Sequence, residues 1–269
     1  MRKYIPALLA VSLIGCVGGH QPMAQAGLPA VDIDNGTLAK IDQIIVGQRA
    51  QASQRDLGER ITAISANFLG TPYVANRLVG SHRVAERLVI DFRGVDCFTY
   101  LDYVDALSKS TSPEQFNDRL RQTRYINGDV SYAHRKQFFT DWSSLLPLNA
   151  MDITRAVSPS AITILKTLNQ TANGGKIFPS LGVETRAVSY IPAKAVSSAV
   201  IGRLKSGDFI GIYTPTAGMD VTHTGIFIMT DRGPVLRNAS SRAGYRKVVD
   251  SPFLAYIRKT PGIVVLRAI

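Results

Sequence analysis

One stretch, from Leu88 to Leu101, constrains this chain more than any other, because it predicts an apolar strand, a short turn and then a helix with one buried face. The strand is predicted over residues 84–92, with one face exposed to solvent because charged residues interrupt it, and Arg93-Gly94 supplies a short turn. Asp96 then begins the helix, since its carboxylate can accept a hydrogen bond from a free N–H of the first turn. Apolar side chains recur at intervals of three and predict one buried helical face: Phe98, Leu101, Val104 and Leu107.

Cys97 is the first residue inside this predicted helix. The positive end of the helix dipole and the free N–H groups stabilise a thiolate there, so they predict a lowered thiol pKa. The negative charge of Asp96 acts in the opposite direction. Cys97 is therefore either a nucleophile or a small buried hydrophobic residue, and the helical spacing by itself favours the second.

The start of the chain predicts export from the cytoplasm. Two basic residues precede an apolar run over residues 4–17, which is too short to span a bilayer stably and is typical of a signal peptide. Leu13-Ile14-Gly15-Cys16 resembles the lipobox of bacterial lipoproteins, whereas Ala24-Gln25-Ala26 is a rival site for ordinary cleavage. We therefore expect residues 1–26 to hold the signal and favour lipidation at Cys16, because the apolar run ends there.

The lipobox and the ordinary cleavage site predict different locations outside the cytoplasm. Val17 follows the cysteine, and a non-acidic residue at that position of a lipoprotein usually implies the outer membrane. We expect a lipid-anchored outer-membrane protein that faces the periplasm, or a periplasmic protein if the signal is cleaved in the ordinary way.

The cysteine count bears on the role of Cys97. The chain has only two cysteines, and Cys16 is either acylated or removed with the signal. Cys97 is then alone in an exported protein and has no intramolecular disulfide partner. A leftover cysteine of this kind suggests an intermolecular bridge or a reactive thiol, and its place at a helix start favours the reactive thiol.

The formal net charge of +11 suits an anionic partner. The basic residues are spread out, with no run of five and no nucleic-acid-binding motif, so we expect no nucleic-acid partner. An anionic surface or a carboxylate-rich substrate is a better match for this distribution of charge. We expect the protein to be a monomer. No second histidine or cysteine lies at ligand spacing, so we expect no metal and no cofactor.

The rest of the chain divides into three parts. Residues 27–56 predict a tether and an N-terminal helix, and residues 57–269 predict the catalytic domain. Within that domain residues 111–205 are longer than a connection needs to be. Asn127-Gly128 predicts a hairpin inside this segment.

A cysteine hydrolase also needs a histidine and a polar group that orients it. Of the four histidines, His223 lies in an apolar strand beside a glycine, where an unpaired polar group would be costly. A following strand carries Asn238, which shares a face with His223 if the connecting loop has an even number of residues. A satisfied core histidine is the other interpretation of His223. We expect His82 to be exposed to solvent, and His134 to be a substrate contact or a surface residue.

Short motifs follow one another in a defined order: Gly70-Thr71-Pro72-Tyr73, Val95-Asp96-Cys97, Gly207-Asp208 and Thr222-His223-Thr224-Gly225-Ile226. In this order they resemble the NlpC-type branch of the papain-like cysteine peptidases, which cut bacterial cell-wall peptides. The resemblance is closest to the N-acetylmuramoyl-L-alanine amidase-like proteins and covers residues from about 57 to 269. Further motifs extend it: Arg124-Tyr125, Phe138-Phe139-Thr140-Asp141-Trp142, Tyr190-Ile191-Pro192, Met219-Asp220 and Asn238-Ala239-Ser240-Ser241.

The resemblance implies an α+β fold with a papain-like, NlpC-type core. It also implies that residues from about 111 to 205 are an insertion, longer than in minimal members, that shapes the substrate cleft. In such a core the nucleophilic cysteine begins a helix that packs on an antiparallel sheet carrying the histidine. It implies these roles: Cys97 as nucleophile, His223 as general base, Asn238 as the group that orients the imidazole, and Tyr73, Asp96 and Asp220 as oxyanion or substrate-binding residues. Many relatives carry histidine where this chain has Asn238, and often histidine where it has Gln137.

The resemblance also implies a substrate. The amidase branch cuts the bond between N-acetylmuramic acid and L-alanine in peptidoglycan fragments, the muropeptides. The nearest alternative is an endopeptidase that cuts between γ-D-glutamate and diaminopimelate. An inactive, lipid-tethered module that binds the cell wall and a thiol acyltransferase are two further alternatives that the sequence leaves open.

Overall fold

The structure, a computed structural model, describes residues 31–49 and 55–269. The predicted export signal, with Cys16, lies outside the described residues. No helix within the described part is both long enough and apolar enough to cross a membrane.

Seven helices and ten strands form the described fold. The helices are α1 (Asn35–Arg49), α2 (Leu57–Ala66), α3 (Cys97–Ser108), α4 (Pro113–Arg124), α5 (Thr154–Val157), α6 (Ser198–Ile201) and α7 (Phe253–Ile257). The strands are β1 (Val31–Ile33), β2 (Leu88–Ile90), β3 (Ala150–Asp152), β4 (Ile162–Leu168), β5 (Glu184–Pro192), β6 (Phe209–Tyr213), β7 (Val221–Thr230), β8 (Gly233–Ser240), β9 (Lys247–Pro252) and β10 (Gly262–Ala268).

An eight-stranded sheet forms one layer of the fold, and its pairs are antiparallel. Its order is β4-β5-β10-β6-β7-β8-β9, and β3 also pairs with β10. A separate parallel pair joins β1 to β2. The fold is therefore a mixed α and β structure built on an antiparallel sheet, as expected.

Helix α3 lies at the centre of the molecule. Every residue from Thr99 to Ser108 is buried, although the spacing predicts burial of one face only. The prediction is too narrow because α3 packs on β7 and β8 on one side, while α1, α2 and α4 cover the other. A helix enclosed in this way gives the residues at its start a fixed position relative to the sheet.

The segment over residues 111–205, which we predict to be an insertion, begins with α4 and adds β4 and β5 to one edge of the sheet. The predicted hairpin at Asn127-Gly128 is wrong. The two residues lie in a short 3-10 turn with φ angles of 54° and 68°, and the chain returns only through a bridge between Tyr125 and Arg135. No strand comes before the turn, because α4 continues as far as Arg124.

Candidate active site

Asp96 fixes the start of α3. Its Oδ1 accepts hydrogen bonds from the backbone N–H groups of Phe98 and Thr99, at 3.0 and 2.8 Å. The Thr99 hydroxyl accepts in return from the Asp96 backbone N–H at 3.0 Å, which completes a capping box. Cys97 is thereby held as the first residue of the helix, in the position that the sequence predicts.

Tyr73 lies beside this helix start. It forms a parallel bridge with Val95, whose backbone N–H donates to the carbonyl of Pro72 at 3.0 Å. Burial raises the pKa of Tyr73, and the nearby Cys97 and Asp96 raise it further. The phenol therefore stays protonated at neutral pH, which makes it a hydrogen-bond donor close to the thiol.

His223 and Asn238 form a hydrogen bond across two neighbouring strands. The ring Nε2 lies 2.9 Å from the Asn238 Oδ1. The Asn238 side chain is fully buried, and its Nδ2 donates to the carbonyl of Leu236 at 2.9 Å and to the Ser251 hydroxyl at 3.1 Å. Because this leaves only the amide oxygen for His223, Nε2 carries the proton and Nδ1 keeps its lone pair.

The hairpin between β7 and β8 explains why these two side chains meet. Its strands pair from Ile226 with Arg237 to Thr230 with Gly233, which leaves a loop of two residues. The loop is even, so the condition for a shared face holds. A Cβ at Gly225 would lie 3.0 Å from the Asn238 Cβ, so glycine at this position permits the two strands to pack closely.

Cys97 and His223 line the same cavity, which has a volume of about 510 Å³. Cys97 is partly exposed, and the Thr224 hydroxyl donates to its backbone carbonyl at 2.8 Å. This bond joins the strand that carries His223 to the helix that begins with Cys97. Aromatic side chains form much of the remaining wall: Phe98, Tyr132, Phe138, Phe139 and Phe178.

The titration of the two groups differs from the prediction for an activated thiol. Burial raises the pKa of Cys97 to about 11, and the Asp96 charge raises it further against the opposing bonds from Thr224. Burial also lowers the pKa of His223, and the charge of Arg242 acts in the same direction. The resting site at neutral pH therefore holds a thiol and a neutral imidazole, because burial and Asp96 outweigh the helix terminus.

The profile of the AmiA-like family, described as N-acetylmuramoyl-L-alanine amidase-like, matches residues 63–263. The chain belongs to this family.

Solved structures agree with the assignment. Two crystal structures of an N-acetylmuramoyl-L-alanine amidase from Bacteroides uniformis ATCC 8492 are similar, with 28% and 30% sequence identity and TM-scores of 0.68 and 0.65. Each similarity covers 79% of this chain, and 99% and 98% of the amidase chain. A Legionella pneumophila protein with 24% identity and a TM-score of 0.71 shares the fold over 87% of this chain and 96% of its own. No curated protein matches the chain.

Asp220 occupies a buried position in this amidase-like chain, although it lines the cavity. Its Oδ2 accepts from the backbone N–H and the hydroxyl of Thr140, at 2.7 and 2.8 Å. Its Oδ1 accepts from the backbone N–H of Val221 at 2.8 Å. The carboxylate thus ties the aromatic segment over residues 138–142 to the start of β7, which shapes the cavity from behind.

Three polar residues of the cavity wall are not among those that sequence reasoning selected. The Arg124 Nε donates to Asp102 at 2.7 Å, and both side chains are about 99% buried. Within the described residues, the Arg124 Nη2, the Asp102 Oδ1 and the Gln137 Nε2 have no hydrogen-bond partner. The signals available in sequence were a charged residue one turn beyond the cysteine and the Arg124-Tyr125 motif.

Two other histidines of the described residues, His82 and His134, lie outside the cavity. His82 is exposed, and the His134 Nδ1 lies 2.8 Å from an Asp129 carboxylate at the surface. Among residues 31–49 and 55–269, no group of three or more histidine, cysteine or acidic side chains is arranged to hold a metal ion.

Proposed function

We propose that this chain is a cysteine amidase that hydrolyses the N-acetylmuramoyl-L-alanine bond of muropeptides. The observation that carries the proposal is that Cys97 and His223 open into one cavity, while Asn238 holds the imidazole by Nε2 and leaves Nδ1 free. A thiol, a base and a group that orients the base are the parts that thiol acyl chemistry needs.

The reaction begins with Cys97 as a neutral thiol and His223 as a neutral imidazole. The Cys97 sulfur attacks the lactyl carbonyl of the muramoyl group while the His223 Nδ1 takes the thiol proton. The imidazolium then gives that proton to the nitrogen of L-alanine, and the peptide leaves as a free amine. Water activated by His223 hydrolyses the remaining thioester, which releases the muramoyl carboxylate and restores the thiol.

Two donors are available for the oxyanion of the tetrahedral intermediate. The backbone N–H of Cys97 belongs to the first turn of α3, where it has no partner within the helix, and Tyr73 is near enough to the thiol for their charges to interact. Donors placed where negative charge develops lower the barrier most when they are held in position beforehand. The bridge between Tyr73 and Val95 supplies that rigidity.

We assign the core to the papain-like, NlpC-type class on the same geometry. A buried helix begins with the cysteine and packs on the antiparallel strands that carry His223 and Asn238. The aromatic wall of the cavity suits the apolar face of a sugar ring, and the unpartnered atoms of Arg124, Asp102 and Gln137 lie in the same wall.

The endopeptidase remains the alternative, and Asp96 is the observation that favours it. Only its Oδ1 makes hydrogen bonds in the cap, so Oδ2 remains available to a free L-alanine amine. In the amidase reaction that amine is the leaving group and is not free in the substrate.

Product analysis separates the two reactions. A purified disaccharide-tetrapeptide incubated with the protein should yield the intact disaccharide and the intact tetrapeptide by liquid chromatography. A shortened stem still attached to sugar would contradict the amidase and support the endopeptidase. Cys97→Ala should bind the muropeptide and release nothing; unchanged turnover in that variant would contradict thiol catalysis.

The location is a separate part of the proposal. We propose that the mature protein is exported and carries a lipid on Cys16, which holds it at the outer membrane. Cys16→Ser should abolish incorporation of labelled fatty acid and release the protein into the soluble periplasmic fraction. Lipid labelling that persists in this variant would contradict the assignment.

A further inference from the structure

Two arginines lie on the outer side of the candidate active site. Both belong to residues 241–246, the turn between β8 and β9, and both are exposed. Neither Arg242 nor Arg246 forms an ion pair within the described part of the chain, and neither lines the cavity.

Each guanidinium stacks on a tyrosine that borders the site. The Arg246 guanidinium carbon lies 5.7 Å from the centre of the Tyr73 ring, and that of Arg242 lies 4.2 Å from the centre of the Tyr256 ring. The Tyr256 ring in turn lies 6.2 Å from the His223 ring at an angle of 22°. One cation therefore stands on the cysteine side of the site and the other on the histidine side.

Backbone hydrogen bonds attach this turn to the Tyr73 segment. The N–H of Tyr73 donates to the carbonyl of Arg246 at 2.9 Å, and the N–H of Val248 donates to the carbonyl of Thr71 at 2.8 Å. Within the turn, the N–H of Arg246 donates to the carbonyl of Arg242 at 3.1 Å. The backbone that carries the two arginines is thus fixed relative to the helix start at Cys97.

We infer that Arg242 and Arg246 bind the carboxylates of the stem peptide while the muramoyl sugar occupies the cavity. The inference rests on the proposed function, because it takes its substrate class from there. A stacked guanidinium keeps its N–H edges outward and presents them as a planar pair that matches a carboxylate. The stem peptide carries carboxylates on glutamate and diaminopimelate, and no acid of the described residues forms an ion pair with either arginine.

The assignment sets the direction of the substrate. The acyl half lies inward among the aromatic side chains, and the leaving peptide lies outward across the turn. After the peptide is cut off, the arginines hold it only through exposed charge pairs, which screening by salt weakens. Release of the peptide therefore does not require the cavity to open.

Binding without turnover tests the inference apart from the proposed reaction. The probe is the tripeptide L-alanyl-γ-D-glutamyl-diaminopimelate, compared with the same tripeptide amidated at its carboxylates. Titration calorimetry on Cys97→Ala is compared with Cys97→Ala carrying Arg242→Gln and Arg246→Gln. The matched control carries Arg119→Gln and Arg232→Gln, which remove the same charge from exposed positions outside the cavity.

We expect the Arg242/Arg246 variant to bind the free acid at least tenfold more weakly, with little change for the amidated peptide. The control should bind both peptides as Cys97→Ala does. Equal loss for both peptides, equal loss in the control, or no loss in the Arg242/Arg246 variant would overturn the inference. The products released by the wild-type protein test the proposed function separately, because this binding experiment involves no cleavage.

Discussion

Asn238 holds the His223 ring by a single contact of 2.9 Å, and the amide is itself held by two donor bonds from its Nδ2. The orientation of the imidazole thus depends on a buried side chain that does not titrate. A small misplacement of a catalytic group costs on the order of 100-fold in rate. Asn238→Ala should lower kcat by about that factor with little change in KM; a variant with wild-type kcat would show that the contact does not position the base.

The lowered pKa of His223 predicts that the acid limb of the pH–rate profile lies at lower pH than an ordinary histidine would give. The base works in its neutral form, and burial moves its pKa below the ordinary 6.5, so activity should persist below pH 6.5 before it falls. The raised thiol pKa of about 11 predicts a plateau that extends past pH 9, because both groups stay neutral across that range. A pH profile of kcat/KM with its acid limb above 6.5 would contradict this account.

Asn238→Asp provides the control for that profile. A carboxylate at this position keeps an acceptor for Nε2 and adds a negative charge beside the ring, so it should raise the pKa of His223. The acid limb should then move to higher pH than in the wild type. An acid limb that stays in place would assign the observed titration to a different group.

Asp96 influences the thiol through its charge. Asp96→Asn keeps a good N-cap and removes the charge, so the thiol pKa should fall from about 11 and alkylation by iodoacetamide at pH 8 should become faster. Stability should change little because the cap is retained. A slower reaction would show that the capping geometry, rather than the charge, controls the thiol.

The hydrogen bonds that the Asp220 carboxylate accepts should contribute to the free energy of unfolding. Asp220→Asn places an N–H group near donors that the carboxylate now satisfies, and leaving a buried donor without a partner costs about 1–3 kcal/mol. Urea unfolding should show this loss. Asp231→Asn, an exposed residue of the β7–β8 turn, should show almost none; equal stability of the two variants would contradict the assigned role.

The local parts of the site could be predicted from sequence. The signals for the start of α3 all lie within a dozen residues: an N-cap, a cysteine beside it and an apolar stripe at helical spacing. The start of the helix can therefore be predicted from neighbouring side chains. The strand before it is shorter than predicted, with only Leu88–Ile90 in β2. The buried carboxylate of Glu86 explains the difference, since it pairs with Arg135 instead of continuing the strand.

The surroundings of the site could not be predicted in the same way. The bond between Asp102 and Arg124 and the contact of Tyr73 with the β8–β9 turn depend on how distant segments close on each other. The thiol pKa was mispredicted for a related reason. A helix terminus is visible in sequence, whereas the burial that outweighs it depends on how distant segments pack around the start of α3.

The most direct test of the central claim is mass spectrometry of purified muropeptides incubated with the wild-type protein and with Cys97→Ser. We predict that the wild type converts a disaccharide-tetrapeptide into two products with the masses of the intact disaccharide and the intact tetrapeptide, and that Cys97→Ser leaves the substrate unchanged. The same two products from Cys97→Ser at the wild-type rate, or no cleavage by the wild type, would contradict the claim.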